Sequence, residues 1–471
     1  MKIMALGKNL AGEMLFPTLN EETFVSALAE GLGRNAAALM GVARTTQRGA
    51  AFRGEVKRRV VDAGDPHEAG WTFVVSATDP RRNEFIEALQ PLATFRGMDN
   101  PREPLVFELR ADQTWGDWLQ EKYYARELEG LKVPQYILFA GGPQELPFGL
   151  QAITDSVANV GRVEFDRRED LEQYVDKIIR LERAADPVVD REVVLFGPDG
   201  GVNDPTYFSR EYMVKPLETH IAHELKFRTV PLMADNATKT KLMSTLRGSK
   251  AAVVYTASHG LGLTKEPLER QKAYNGAICC QSDGPLTLDD LFSADDVPKS
   301  GAFLEGAVFF QFACYGYGTP AESDYSHWLT EVPERYASED FVAALPKRLL
   351  AHPRGPIAYV GHVDTAFLHG FTDPNEPHLL ERWHYRMAPF VHVVNQLLGV
   401  QPSGLAMEGL NREYSICNAV LTTAYDRQRR GTMTWTQETA QRFVDSWILR
   451  SDAQNYFVFG DPAARLRIPE P

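Results

Sequence analysis

Short apolar runs rich in β-branched and aromatic residues, separated by stretches with helical spacing, dominate the second half of the chain. Six of them crowd together: Glu192 to Gly197, Lys226 to Met233, Ala251 to Ser258, Ala307 to Ala313, Gly355 to His362 and Asn455 to Gly460. Continuous apolar runs alternating with helical patterns predict a mainly parallel sheet with helices on both faces. Between the second and third runs, Leu242, Met243 and Leu246 form one helical face, with Asp235 or Asn236 as the cap and Gly248 as the stop. Another crossover helix is expected over Ser338 to Leu350, weakened or bent by Pro346. Two late helical patterns, around Leu405 to Arg430 and Gln437 to Arg450, precede the last run.

Upstream, Trp71 to Ala77, Pro104 to Arg110 and Gln135 to Gly141 are again strand-like. A helix is expected between the first two, with Asp79 as its cap and Pro80 at its first position. The pattern divides the chain into an extension over 1–64, helical around Glu21 to Gly31, a smaller α/β subdomain over 65–185, and a larger domain over 186–471.

Composition changes this picture little. The 471 residues are 44% hydrophobic and 24% charged, with a mean hydropathy of -0.29, as in ordinary globular proteins. A net charge of -13 without a sustained basic stripe gives nucleic-acid binding little support. The first residues show no signal-peptide pattern and no apolar run reaches spanning length, so a cytoplasmic protein without membrane contact is expected. Four cysteines, Cys279, Cys280, Cys314 and Cys417, are too few for a disulfide framework and lack paired metal spacing. The histidines His362, His369 and His378 are scattered without metal-site spacing, and no metal or organic cofactor is expected.

Candidate chemistry lies at two strand ends. The third run closes on Ser258-His259-Gly260-Leu261-Gly262, and the fourth on Ala313-Cys314-Tyr315-Gly316. In an open parallel sheet functional groups gather beyond the carboxyl ends of the strands. If the two strands are neighbours, His259 and Cys314 share one rim. A cysteine nucleophile needs a proton-handling partner, and histidine suits that task near neutrality. The backbone N–H groups of Gly260 and Cys314 are the expected donors to a developing oxyanion. A lone cysteine ending an apolar strand is more often packing than catalysis, so the pairing with His259 carries the case. Cys279, Cys280 and Cys417 are read as core.

These blocks, VVYTASHG followed by AVFFQFACYG, resemble the clan CD cysteine peptidases, which include caspases, gingipains, separase and the bacterial CHAT proteases. Gly284 to Leu291 (GPLTLDDL) is similar to the CHAT stretch between the two motifs, and Phe459 to Ile468 to the last strand of CHAT and gingipain-type domains. The resemblance covers roughly 130–471. It implies a caspase-like six-stranded sheet in the 186–471 domain and cleavage of a protein or peptide substrate through a thioester. An activating partner or ligand, and a role in a bacterial cleavage or defence pathway, are further implications. Asp364 lies near where separase carries its pocket acid, which would select a basic residue before the scissile bond. Asp283, Asp204 and Glu322 are other candidates for that pocket, and a neutral pocket with an apolar preference is also open. Arg427, Arg429 and Arg430 mark a candidate cut site. The competing readings are a non-catalytic caspase-fold scaffold and a thiol hydrolase acting on small amides.

Overall fold

The computed structural model describes residues 2–15, 19–20, 61–282, 284–326, 335–372, 385–434 and 436–470. The helix expected at Glu21 to Gly31 lies outside the described residues.

All six apolar runs form strands, and they belong to a larger sheet of ten. In chain order these are β1 (Trp71–Ser76), β2 (Leu105–Phe107), β3 (Tyr136–Ala140), β4 (Asn159–Val163), β5 (Asp190–Gly197), β6 (Arg228–Met233), β7 (Ala251–Ala257), β8 (Val308–Phe312), β9 (Ala358–His362) and β10 (Tyr456–Phe459). Their order across the sheet is β2-β1-β3-β4-β10-β9-β8-β7-β5-β6. Every pairing is parallel except β9 with β10. The sheet therefore consists of two parallel blocks of five strands running in opposite directions, joined along one antiparallel seam. The strands of the 65–185 region extend the same sheet across the β4–β10 pairing, where Val458 faces Gly161.

Both faces of the first block are covered. Phe73, Val75, Tyr136 and Leu138 pack into the main core with the helix Arg82–Phe95, whereas the alternate residues Val74, Ile137 and Phe139 pack on the other side with Trp118 and Leu150. In the second block, stacked pairs run strand to strand: Tyr255 on Phe310, with centroids 4.6 Å apart, and Phe309 on Tyr359, 5.4 Å apart. β7 and β8 are buried along their whole length, so the loops that follow them start from a fixed platform.

Several local expectations shift. The first helix starts at Arg82 and not at Pro80, because the Asp79 carboxylate and carbonyl take the N–H groups of Arg81 and Arg82 in a preceding turn. The crossover helix Lys239–Leu246 is capped by the Thr238 hydroxyl, not by Asp235 or Asn236, which lie in a 3-10 turn. Residues Phe341–Val342 are a short strand and the helix runs Ala344–Ala351, which puts Pro346 in a first turn that needs no N–H from it. The late helices run Glu408–Arg429 and Gln437–Gln454. Among the described residues no helix is long and apolar enough to cross a membrane.

Candidate active site

In the second block β6 and β7 lie on opposite sides of β5, so the chain leaves the carboxyl end of β5 in one direction and returns on the other side. This topological switch opens a crevice between the loops after β5 and β7. Asp204, from the loop after β5, meets His259, from the loop after β7, with Oδ1 2.8 Å from Nε2. The same carboxylate caps the helix Pro205–Ser209 by accepting from the Thr206 N–H, and it pairs with the Lys8 ammonium. Burial alone would raise the Asp204 carboxyl, but His259 and Lys8 hold it well below the usual carboxylate range. Burial pushes the His259 pKa down, against the Asp204 hydrogen bond that favours the imidazolium. Nδ1 of His259 is buried with no hydrogen-bond partner among the described residues.

Cys314 stands on the neighbouring strand end. Ala257 on β7 is in register with Phe312 on β8, so His259 and Cys314 both lie two residues past a matched pair. Their loops touch: a Cβ on Gly260 would come within 1.9 Å of the Cys314 carbonyl oxygen. Only glycine allows this approach. Tyr315 follows in the left-handed region at φ 58°, turning the chain away directly after the sulfur. The Cys314 thiol accepts from the Ala366 N–H at 3.3 Å and lies 3.7 Å from the Ala366 carbonyl. Burial pushes its pKa well above the ordinary value, partly opposed by that N–H. Among the described residues the sulfur and the imidazole do not hydrogen-bond each other; Ala366 holds one and Asp204 the other.

The remaining candidates are scattered. Asp364 is buried at φ 72°, its carboxylate accepting from the Ser323 hydroxyl and from the N–H groups of Asp324 and Thr365. Burial and the Asp324 charge push its pKa up to about 6, against the Ser323 bonds. Glu322 is exposed, and Asp283 and His378 lie outside the described residues. Cys279 and Cys280 are both buried, the first, at the end of the strand Ile278–Cys279, in a small satellite cluster and the second, just past it, in the main core. Cys417 is buried on the helix Glu408–Arg429, whose last turn carries Arg427 and Arg429. His369 pairs with Asp445 and His362 with Asp452. No cluster of metal-ligating side chains occurs among the described residues.

One component carried no sequence signal. Residues Met4 to Lys8 cross this rim, with a bend at Leu6 and a two-residue strand at Gly7–Lys8. The Leu6 carbonyl oxygen accepts from the N–H groups of both Gly260, at 3.0 Å, and Cys314, at 3.1 Å. The Leu6 N–H donates to the Ala366 carbonyl, Ala5 bridges Phe367 antiparallel, and the Leu368 N–H donates to Met4. On the other side Gly7–Lys8 pairs parallel with Gly260–Leu261. The two N–H groups chosen as oxyanion donors thus converge on one carbonyl.

The protein is, by this topology, a mixed α/β protein built on a large, mostly parallel sheet with a cysteine and a histidine at adjacent strand ends. A scan against protein-family models and a search of curated proteins each find no match. Among solved structures, the chain is similar to the Arg-specific cysteine proteinase gingipain R, at 12% identity over 88% of this chain and 80% of that one, with a TM-score of 0.45. It is also similar to the complex of the Porphyromonas gingivalis RgpB pro- and mature domains, at 12% identity over 84% of this chain and 80% of that one, with a TM-score of 0.41. A third structure, described only as a protease, matches at 15% identity over 84% of this chain and 78% of that one, with a TM-score of 0.43. At this distance the chemistry of the rim has to be read from its own residues.

Proposed function

We propose that the protein is a cysteine endopeptidase that cleaves peptide bonds with Cys314 as nucleophile and His259 as its acid and base. The observation that carries this reading is the convergence of the Gly260 and Cys314 N–H groups on a single peptide carbonyl oxygen beside the Cys314 sulfur. Two N–H groups so placed would receive the oxygen on which negative charge develops during attack.

In the proposed reaction the Cys314 thiol passes its proton to the imidazole and the sulfur attacks the carbonyl carbon. The carbonyl electron pair moves onto the oxygen held by the two N–H groups. The imidazolium then gives its proton to the leaving nitrogen as the C–N bond breaks, leaving a thioester. Water, deprotonated by His259, attacks the thioester, the C–S bond breaks, and the thiol and a carboxylic acid are restored. Asp204 acts through His259: its hydrogen bond to Nε2 fixes the ring and favours the imidazolium.

The test compares wild type with Cys314→Ala on a peptide library, fragments being read by mass spectrometry. Fragments should appear with wild type, and faster when Leu6→Asp displaces the Met4 to Lys8 segment, but not with Cys314→Ala. Undiminished cleavage by the alanine variant would remove Cys314 from its role. Should none of them cut, and should Cys314 label no faster than Cys279, Cys280 and Cys417 even when Leu6→Asp displaces the Met4 to Lys8 segment, the scaffold reading takes its place.

A further inference from the structure

We propose that Met4 to Lys8 is a resident substrate mimic: it holds the cleft closed, and its order of apolar residue, glycine and basic residue is the order of peptide that the opened cleft accepts. This rests on the peptidase reading above and assigns that site both a regulation and a substrate class.

The segment is held by main-chain bonds on both sides, through the bridge at Ala5 and the short strand Gly7–Lys8 on either side of a bend at Leu6. Leu6 donates to Ala366 and accepts from Gly260 and Cys314, Met4 accepts from Leu368, and Lys8 accepts from Gly262. Main-chain bonds of this kind bind any extended peptide, and the pockets between them choose among side chains. Three side-chain positions define the choice. Leu6, whose carbonyl sits between the two donors, is fully buried. A side chain at Gly7 would crowd the nucleophile, since a Cβ there would come within 3.1 Å of both Cβ and Sγ of Cys314. Lys8 reaches the Asp204 carboxylate, which also holds His259. The Leu6–Gly7 peptide bond therefore lies where a scissile bond would.

The arrangement also accounts for the survival of that bond. The segment helps to bury the sulfur, which stays protonated as a poor nucleophile. The Lys8 ammonium shares Asp204 with the imidazole and disfavours its protonation. Beyond Lys8 the chain turns back on itself, with Lys8 bridging Met14 and Leu15 donating to the Gly7 carbonyl. This hairpin holds the amine side of the Leu6–Gly7 bond, so that a cut there would not release it.

The experiment uses the full chain and reads the cleft without requiring cleavage. Leu6→Asp places a carboxylate in the buried apolar position and should free the segment. Iodoacetamide alkylation of Cys314, followed by mass spectrometry, should then accelerate at least tenfold, with Cys279, Cys280 and Cys417 unchanged. Excess acetyl-Met-Ala-Leu-Gly-Lys-amide should restore the slow rate. The same peptide with Arg in place of Leu should not. An unaltered rate in a folded Leu6→Asp protein, no protection by the peptide, or better protection by the Arg peptide overturns the proposal. Should the variant not fold, hydrogen exchange on wild type decides. The amides of Leu6, Gly260, Gly262 and Cys314 should open together and faster than those at the centre of β8; opening only with β8 overturns it. A protein that passes these tests and cuts nothing has lost the peptidase reading and kept the strand site.

Discussion

The rim is built from side chains whose ionisation is set by neighbours, and two substitutions separate their contributions. Asp204→Asn removes the carboxylate that favours protonated His259 and leaves the burial that opposes it. The imidazole pKa should therefore fall further, as read by NMR titration of labelled histidine, and peptide cleavage should drop at least about 10²-fold. Asp364 acts through stability. Its folded pKa of about 6 lies above the ordinary carboxyl value of 3.8, so between those values the folded chain binds the extra proton. The stabilisation is greatest below pH 3.8 and is lost as pH rises through about 6. The full difference corresponds to about 3 kcal/mol. Urea unfolding from pH 4.5 to 7.5 should show that wild type loses up to this amount relative to Asp364→Asn as pH rises. Parallel curves for the two proteins would mean that Ser323, Asp324 and Thr365 already compensate the charge.

At the scale of elements, strands were legible where burial on both faces made the run continuous, as in β5, β7, β8 and β9. β4 was overlooked because Asn159-Val160-Gly161-Arg162-Val163 offers neither an apolar run nor clean alternation: Gly161 lies under the Gly460 carbonyl and Arg162 is buried with hydrogen bonds to Gln151, Gly141 and Leu146. Helix starts shifted because turn and capping hydrogen bonds, not hydrophobic period, decide them. His259 and Cys314 stood out because each closes an apolar strand before a glycine-rich turn. Asp204 was visible only as one acid among several, since its partner is 55 residues away in sequence. The segment Met4 to Lys8 gave no sign, because it is held by main-chain bonds that any residue can make. The overlooked β4 makes its own prediction. A Cβ at Gly161 would fall 2.2 Å from the Gly460 carbonyl oxygen and 2.8 Å from Pro462 Cδ, so Gly161→Ala should cost about 2–3 kcal/mol. An unchanged urea midpoint would show that β4 and β10 can part without loss.

Across the whole molecule, two opposed parallel blocks share one sheet and one principal core. Residues of that core come from β1 and β3 as well as from β5, β7, β8 and β9. The β4–β10 pairing is also tied by charge. Arg96, after the first helix, is buried between Glu182 and Asp461, the latter just past β10; the Asp461 carboxylate also accepts from the Trp71 indole. Parting the 65–185 region from the rest at the β4–β10 pairing would expose two strand edges and leave buried Asp461 without Arg96, and breaking a buried pair costs about 3–5 kcal/mol. The 65–185 region and the rest of the chain should therefore not unfold independently, although their lengths would permit two domains. Calorimetry should give a single transition with equal calorimetric and van't Hoff enthalpies. Arg96→Ala should lower its midpoint without splitting it, because the shared core persists when the charge tie is lost. Two resolved transitions in wild type would mean that the seam between β9 and β10, or the β4–β10 pairing beside it, is a boundary between domains and not the middle of one sheet.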